Sequence, residues 1–326
     1  MGCPEELLFD LVEGEEHREV ALADGALSYA VASCRSGPCA GTIVLIHGVG
    51  SNASRWEEFT EQTPLREGWR IIRLDLRGHG ASESREKATL EIHAADLMRV
   101  LDDAGIEKAV LVGHSLGAQI AMRAAVLYPD RIQGMVLMDP LVTSALTPSA
   151  LAHRRKYPLL VTVEFLARML NALGIRRRMP HYSLRAHDRK AREMLARGGD
   201  ALQAFIDEYS SPLKDLGHIH TACYMRDILE VGRETPDLSG VGFPVLVIGA
   251  SSGTFTDAGR MQEWVRSLRD GSWAVVNCFH WPLTECPEEV SRIIEKKKPA
   301  AFELQAFLMF DARHLIWRRA LPRLRG

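Results

Sequence analysis

Five residues near the middle of the chain, Gly113-His114-Ser115-Leu116-Gly117, have the types and spacing that place a reactive serine on a tight turn. An apolar run, 108–112, leads into them, and a small-residue amphipathic stretch, 118–125, leads out. Gly-x-Ser-x-Gly between a strand and a helix is typical of a nucleophile elbow, in which only small residues fit two positions before and after the serine. The pattern therefore predicts that Ser115 is a nucleophile held at the end of a strand.

A serine hydroxyl is a weak nucleophile at neutral pH and needs a base within hydrogen-bond reach. The chain has 12 histidines that could serve. Among them, His280 follows the last expected strand, in the run 278–282, so it should reach the same carboxyl edge of the sheet as Ser115. We therefore predict that His280 is the base; the structural alternative is a capping or packing histidine.

The elements that must position these residues are predicted by short apolar runs that alternate with helical patterns. The expected strands are His17–Leu22, Leu27–Ser33, Thr42–His47, Trp69–Leu74, Ala109–Val112, Met135–Met138, Val245–Ile248 and Trp273–Cys278. The expected helices are Lys87–Ala104, Leu116–Tyr128, Asp257–Arg269 and Pro287–Lys296. From Thr42 onward the runs do not alternate, as expected for strands that are buried on both faces. The order predicts an α/β fold with a mostly parallel eight-stranded sheet, and the first two runs predict an antiparallel hairpin.

The segment 141–240 breaks this alternation, because it holds no expected strand and is rich in Arg, His and Met. We predict that it is a helical cap inserted after the sixth strand, between two parts of one core, 1–140 and 241–296. Arginine clusters in 152–156 and 175–179 are expected to be solvated helix faces. A basic and apolar tail, 297–326, follows; packing on its own domain or partial disorder is favoured over contact with a membrane or a partner.

Composition narrows the class of protein. The chain has 326 residues, of which 46% are hydrophobic and 25% charged, and its formal net charge is −2. These values are typical of a soluble globular protein and give no reason to expect a nucleic-acid partner. No signal peptide and no run of the ~18 apolar residues of a membrane span is visible, so a cytoplasmic protein is expected. Whether it forms a homodimer is left open.

The six cysteines show no C-x-x-C pair and no metal spacing. Cys34 and Cys39 flank a Gly-Pro turn and could form a disulfide in an oxidising compartment, but free thiols are favoured in the absence of an export signal. The glycines at 113 and 117 are too few and too close for a dinucleotide or P-loop motif. We therefore expect neither a cofactor nor a metal.

Taken together, these parts resemble the α/β-hydrolase fold family over about residues 17–296. Residues 46–50, Ile-His-Gly-Val-Gly, look like its oxyanion loop, and 75–82 look like its turn after the next strand. Pro282 and Pro287 match the usual surroundings of its catalytic histidine. The resemblance implies that the backbone N–H groups of Val49 and Leu116 form the oxyanion hole.

The acid departs from the common family pattern. Most members carry an Asp after the strand that follows the cap, where this chain has Ser252. Some members carry the acid one strand earlier, and here Asp139 follows the expected strand Met135–Met138. We therefore predict Asp139 as the acid, with Asp257 as the alternative and a dyad without an acid as the third arrangement.

The expected reaction is hydrolysis of a small-molecule carboxylic ester or lactone through an acyl-enzyme on Ser115. One alternative is hydrolysis of a carbon–carbon bond in a diketone-like acid, whose carboxylate the basic clusters of the cap would bind. The other is a non-catalytic protein of this fold that binds a ligand or a partner. Ser252 at the usual acid position favours that last alternative, whereas the intact Ser115 and His280 oppose it.

Overall fold

The core of the protein is one eight-stranded sheet. The structure, a computed structural model, describes residues 9–177, 179–198, 200–209, 211–252 and 255–296. The strands are β1 Glu15–Leu22, β2 Gly25–Ala32, β3 Gly41–Ile46, β4 Trp69–Leu74, β5 Ala109–His114, β6 Ile132–Met138, β7 Val245–Ala250 and β8 Gly271–Val276. Their order in the sheet is β1-β2-β4-β3-β5-β6-β7-β8. β2 pairs antiparallel with β1 and β4, and every later pair is parallel, so the predicted fold class and hairpin are confirmed.

Helices cover both faces of this sheet. They are α1 Glu57–Gln62, α2 Leu90–Asp103, α3 Leu116–Leu127, α4 Pro148–His153, α5 Tyr157–Ala172, α6 Leu184–Arg197, α7 Asp200–Tyr209, α8 Pro212–Asp215, α9 Thr221–Val231, α10 Ala258–Ser267, α11 Pro282–Glu285 and α12 287–296. In β3, Val44 and Ile46 pack with residues of α2, α3 and α10, whereas Ile43 and Leu45 pack with residues of α1 and α12. Both faces of the strand are therefore apolar, which is why its sequence does not alternate.

Capping side chains decide where the predicted helices begin. The helix expected from Lys87 begins at Leu90, because the Thr89 side chain accepts a hydrogen bond from the N–H of Ile92. Asp257 likewise stands before α10 and accepts from the N–H of Arg260 at 2.9 Å. Short polar side chains at this position satisfy N–H groups that lack a partner within the helix.

Between β6 and β7 the described residues form α4 to α9 and no strand; we call these six helices the cap. The cap is joined to the core by buried polar contacts around α6. Arg55 forms an ion pair with Asp188 of α6, and Asp188 also accepts from the hydroxyl of Thr284 at 2.9 Å. The N–H of Leu184 donates to the Ser54 hydroxyl at 2.8 Å. An ion pair at this depth ties α6 to one position on the core, since separating the charges would leave each one buried without a partner.

One expectation about the cysteines is wrong. Cys34 and Cys39 form a disulfide, with their Cα atoms 5.7 Å apart. The turn between them, with Gly37 at φ 63°, returns the chain on itself and brings the two side chains together. The expectation rested on the predicted compartment, whereas local turn geometry decides whether two thiols can meet. Cys223, Cys278 and Cys286 are free.

The predicted tail, 297–326, lies outside the described residues. No helix within the described ranges is both long and apolar enough to cross a membrane.

Candidate active site

Ser115 stands on a strained turn between β5 and α3. Its φ is 51° and its ψ is −110°, a conformation that costs a non-glycine residue energy and that occurs mostly at functional sites. A Cβ on Gly113 would lie 2.3 Å from the carbonyl oxygen of Gly117, and a Cβ on Gly117 would lie 2.3 Å from that of Ile46. Only glycine fits either position, which is the physical reason for the pattern seen in the sequence.

His280 links the serine to a carboxylate. Its Nε2 lies 3.1 Å from the Oγ of Ser115, and its Nδ1 lies 2.5 Å from the Oδ2 of Asp139. The carboxylate can only accept a hydrogen bond, so Nδ1 carries the proton and Nε2 is left to accept the serine proton. The three side chains are buried, with residue exposures of 5% for Ser115, 9% for His280 and 6% for Asp139.

The structure brings Asp139 to the imidazole and leaves the alternative acid elsewhere. Asp139 follows β6 directly, has a φ of 43°, and donates its N–H to the carbonyl of Ile248 in β7 at 2.8 Å. Asp257 is exposed and caps α10. Ser252, at the position usual for the acid, is exposed and donates its N–H to the carbonyl of Cys278 at 3.3 Å. The order β5-β6 in the sheet makes the serine and this aspartate neighbours.

His114 positions the main chain of His280, a contact that the sequence did not reveal. Its Nε2 donates to the carbonyl oxygen of His280 at 2.8 Å, and the two ring centroids are 5.1 Å apart. Burial, with the nearby His280 ring, lowers the pKa of His114 to about 3, so His114 is neutral. No local pattern in the sequence could show that residue 280 folds back onto this ring. The edge of Phe255 also packs on the His280 ring, at 4.7 Å between centroids.

The two predicted oxyanion donors are available. Within the described residues, neither the N–H of Val49 nor that of Leu116 has a hydrogen-bond partner, and Leu116 is the first residue of α3. The loop that carries Val49 is held by the buried His47, whose Nε2 accepts from the N–H of Leu76 at 3.0 Å. Its Nδ1 donates to the carbonyl of Gly48 at 2.9 Å, and burial lowers its pKa well below the ordinary value. A neutral imidazole therefore fixes the backbone around Val49.

The cap covers this arrangement. Val49 packs against the cap residues Ile219, Tyr224 and Met225, and the Trp281 ring meets the Tyr209 ring with centroids 5.4 Å apart. A cleft open to solvent is lined by residues that include Asn52, Ser54, Arg176, His218 and His220, and His218 Nε2 lies 3.2 Å from the carbonyl oxygen of Gly50, next to Val49. Neither Ser115 nor His280 lines that cleft.

A second cluster of side chains has the composition of a metal site. Donor atoms of His79, Cys223 and Asp227 all lie within 4.8 Å of one another. His79 Nε2 lies 2.9 Å from Asp227 Oδ2; burial opposes a charge on His79, but Cys223 and Asp227 outweigh it and raise the pKa of His79 well above the ordinary value. The ion pair joins the turn after β4 to α9. Its members are far apart in the sequence, which is why spacing did not reveal it.

The chain is similar in sequence to a known family of proteins and to several curated relatives. Residues 41–287 match the sequence profile of a family described as the alpha/beta hydrolase fold. A 2-hydroxy-6-oxononadienedioate/2-hydroxy-6-oxononatrienedioate hydrolase of Paraburkholderia phymatum is 40% identical over 101 residues, which are 30% of this chain and 35% of that protein. An sn-1-specific diacylglycerol lipase of Danio rerio is 32% identical over 107 residues, which are 32% of this chain and 34% of that protein. The chain spans about a third of the length of these curated relatives.

A solved structure shows the same fold over nearly the whole chain. The enol-lactonase from Burkholderia xenovorans superposes with a TM-score of 0.59, covering 86% of this chain and 98% of that one at 18% sequence identity. A structural similarity at such a low sequence identity shows that the two proteins share a fold, and nothing about their function.

Proposed function

Because this chain belongs to the α/β-hydrolase fold family, we propose that it is a serine hydrolase that cleaves a carboxylic ester or lactone through an acyl-enzyme. One observation carries the proposal: the continuous contact from Asp139 through His280 to Ser115, with separations of 2.5 and 3.1 Å. A serine that is strained, buried and within reach of a base held by a carboxylate has the parts that activate a hydroxyl.

In the first half of the reaction the Ser115 oxygen attacks the carbonyl carbon while its proton passes to Nε2 of His280. The imidazolium that forms is stabilised by the carboxylate of Asp139, which also holds the ring in the required tautomer. Collapse of the tetrahedral intermediate then breaks the bond to the leaving oxygen, which takes the proton from His280. The acyl group remains as an ester of Ser115.

In the second half, water gives a proton to His280 as its oxygen attacks the carbonyl carbon of the acyl-enzyme. Collapse of this intermediate breaks the bond to the Ser115 oxygen, which takes the proton back from His280, and the acid is released. In both halves the negative oxygen receives hydrogen bonds from the N–H groups of Leu116 and Val49. Losing one such donor costs roughly a hundred- to a thousand-fold in rate. The lack of any other partner for these two N–H groups within the described residues supports this role.

A second candidate reaction is hydrolysis of a carbon–carbon bond next to a carbonyl in an acidic substrate. The observation in its favour is the cleft lined by Arg176, His218 and His220, in which Arg176 offers a cation for a carboxylate. His218 connects this cleft with the loop that carries Val49, through the carbonyl of Gly50 at 3.2 Å. The similarity to the Paraburkholderia hydrolase points the same way. A non-catalytic role is less well supported, because a binding protein has no need to keep a strained serine beside a base.

The test compares the wild type with Ser115→Ala on a short-chain p-nitrophenyl ester, a panel of lactones, and a diketone acid. We expect ester or lactone turnover that is lost in the variant, and labelling of the wild type alone by a fluorophosphonate probe. Turnover of the diketone acid alone would support the second candidate. An unlabelled wild type without turnover on any of the three would contradict catalysis altogether.

A further inference from the structure

The outward face of α5 is apolar. Eight large apolar side chains of α5 and the residues just after it are between 46% and 72% exposed: Leu159, Val161, Phe165, Leu166, Met169, Leu170, Leu173 and Ile175. We call these eight side chains the α5 face. The inward side of the same helix carries its one acidic residue, Glu164, which is 3% exposed and forms an ion pair with Arg226 of α9. Leu160 and Val163 also point inward and pack against Ile219, Tyr224 and Met225, so the helix is apolar on both sides although one side is exposed.

Exposing a large apolar surface to water is unfavourable in free energy. Isolated exposed leucines are ordinary, but soluble monomers rarely show contiguous apolar patches of more than a few hundred Å² unless the patch binds something. Positions 159, 162, 166, 169 and 173 follow one another at three- and four-residue intervals, so they lie along one line of the helix. Thr162 is the polar exception on that line, and its hydroxyl donates to the carbonyl of Pro158 at 2.9 Å.

Cations stand at both ends of the α5 face. Arg154, Arg155 and Lys156 precede α5, and Arg176 and Arg177 follow it. The guanidinium groups of Arg154 and Arg177 donate to the carbonyls of Gly232 and Leu216, contacts that leave their charge in place. Across 148–177 the buried Glu164 is the one acidic residue. The rim of the apolar face is therefore positive.

We propose that the α5 face docks on the surface of an anionic phospholipid bilayer, with α5 lying in the plane of the interface. The apolar side chains would enter the boundary between head groups and acyl chains, and the flanking cations would lie among the anionic head groups. A second copy of this chain is a poorer occupant, because a symmetric contact through this face would bring two copies of the segment 148–177 together, each with cations at both ends and no exposed acid. Docking is independent of which bond Ser115 attacks.

The experiment uses the full chain and flotation with two kinds of vesicle, pure phosphatidylcholine and phosphatidylcholine with phosphatidylserine. We expect binding to the anionic vesicles that weakens as salt is raised. The double variant Leu166→Glu/Leu173→Glu should bind at least tenfold more weakly. Arg155→Gln and Arg177→Gln should each lose about fivefold on anionic vesicles, in keeping with about 1 kcal/mol per basic residue near such a surface.

Val126→Glu/Leu127→Glu is the matched control, because it adds the same two charges at apolar residues of the core helix α3 that are each 44% exposed. It should bind like the wild type. The vesicle and salt dependence of the wild type needs no variant, so the proposal stays testable even if the double variant does not fold.

Undiminished binding by the folded double variant would overturn the proposal and assign binding to another part of the chain. Absence of binding to anionic vesicles would overturn it as well. In that case, sedimentation that shows a wild-type dimer and a monomeric double variant would identify a second copy as the occupant.

Discussion

Replacing Asp139 by Asn tests the proposed acid most directly, because it removes the charge and keeps the shape. Asn adopts positive φ more readily than most residues, so the φ of 43° at this position should not unfold the variant. His280 becomes positively charged when it takes the serine proton. A neutral Asn stabilises that charge less than the Asp139 carboxylate, which lies 2.5 Å from Nδ1. Binding of the substrate should change little, so the loss belongs in kcat.

The size of the loss has two physical bounds. If the Asn oxygen still accepts from Nδ1, a charge-assisted hydrogen bond becomes a neutral one, and the loss is at most about 3 kcal/mol, or about a hundredfold in rate. If the Asn amide instead donates to Nδ1, the proton moves to Nε2 and the ring can no longer accept from Ser115. In a serine protease, holding the catalytic histidine in the wrong tautomer lowers kcat by about ten-thousand-fold. We therefore expect kcat to fall by up to about a hundredfold in the first case and by about ten-thousand-fold in the second.

Asp257→Asn is the matched control, since it makes the same chemical change at the other candidate acid. Asn is as good a helix cap as Asp, so α10 should remain and kcat should stay within about twofold of the wild type. The assay is steady-state hydrolysis of a p-nitrophenyl ester, with thermal melting of each variant as the check on folding. A folded Asp139→Asn enzyme with nearly wild-type kcat, or equal losses in both variants, would refute the assignment.

Three further predictions concern the elbow and one buried histidine. Gly117→Ala should lower the free energy of unfolding by about 3 kcal/mol or more, because the alanine Cβ would lie 2.3 Å from the carbonyl oxygen of Ile46. A variant with the urea midpoint of the wild type would contradict this close contact. Ser115→Gly should be about 1 kcal/mol more stable than Ser115→Ala, because glycine adopts the φ of 51° without strain, and equal denaturant midpoints would show that no strain is stored. Burial lowers the pKa of His93 to about 4, so its neutral form stabilises the fold above pH 6.5 and that contribution is lost as the pH falls toward 4. His93→Leu should therefore lose less melting temperature than the wild type between pH 7 and pH 5, and parallel losses would count against this reasoning.

Local patterns predicted the scaffold well, because the features that build it are local. Buried parallel strands are continuous apolar runs, and the elbow needs its two glycines for steric reasons that involve a few neighbouring residues. The placement of Asp139 near Ser115 and His280 could be predicted, because the carboxyl ends of parallel strands meet at one edge of the sheet. The observed bounds of strands and helices differ from the expected ones by a few residues, as in α2, where Thr89 caps the helix.

Features made by distant parts of the chain were missed. His114 meets the carbonyl of His280 across 166 residues of sequence, and Arg55 meets Asp188 across 133. The exposed side of α5 was also hidden, because its composition resembles that of a buried helix. The inward side of α5 is known only from the position of α9, whose Arg226 pairs with Glu164. The side chains on the opposite side of α5 are therefore the exposed ones.

The division of the site along the chain has a consequence for biosynthesis. On the proposed roles, the oxyanion loop, the nucleophile and the acid all lie before the cap, within 41–139, whereas the base is residue 280. Ribosomes make the N-terminal part first, so a nascent chain holds Ser115 and Asp139 before it holds His280, the proposed base. Hydrolysis would begin only after β8 has been synthesised and joined to the edge of the sheet. A chain that stalls within the cap would therefore be inert, whatever esters surround it.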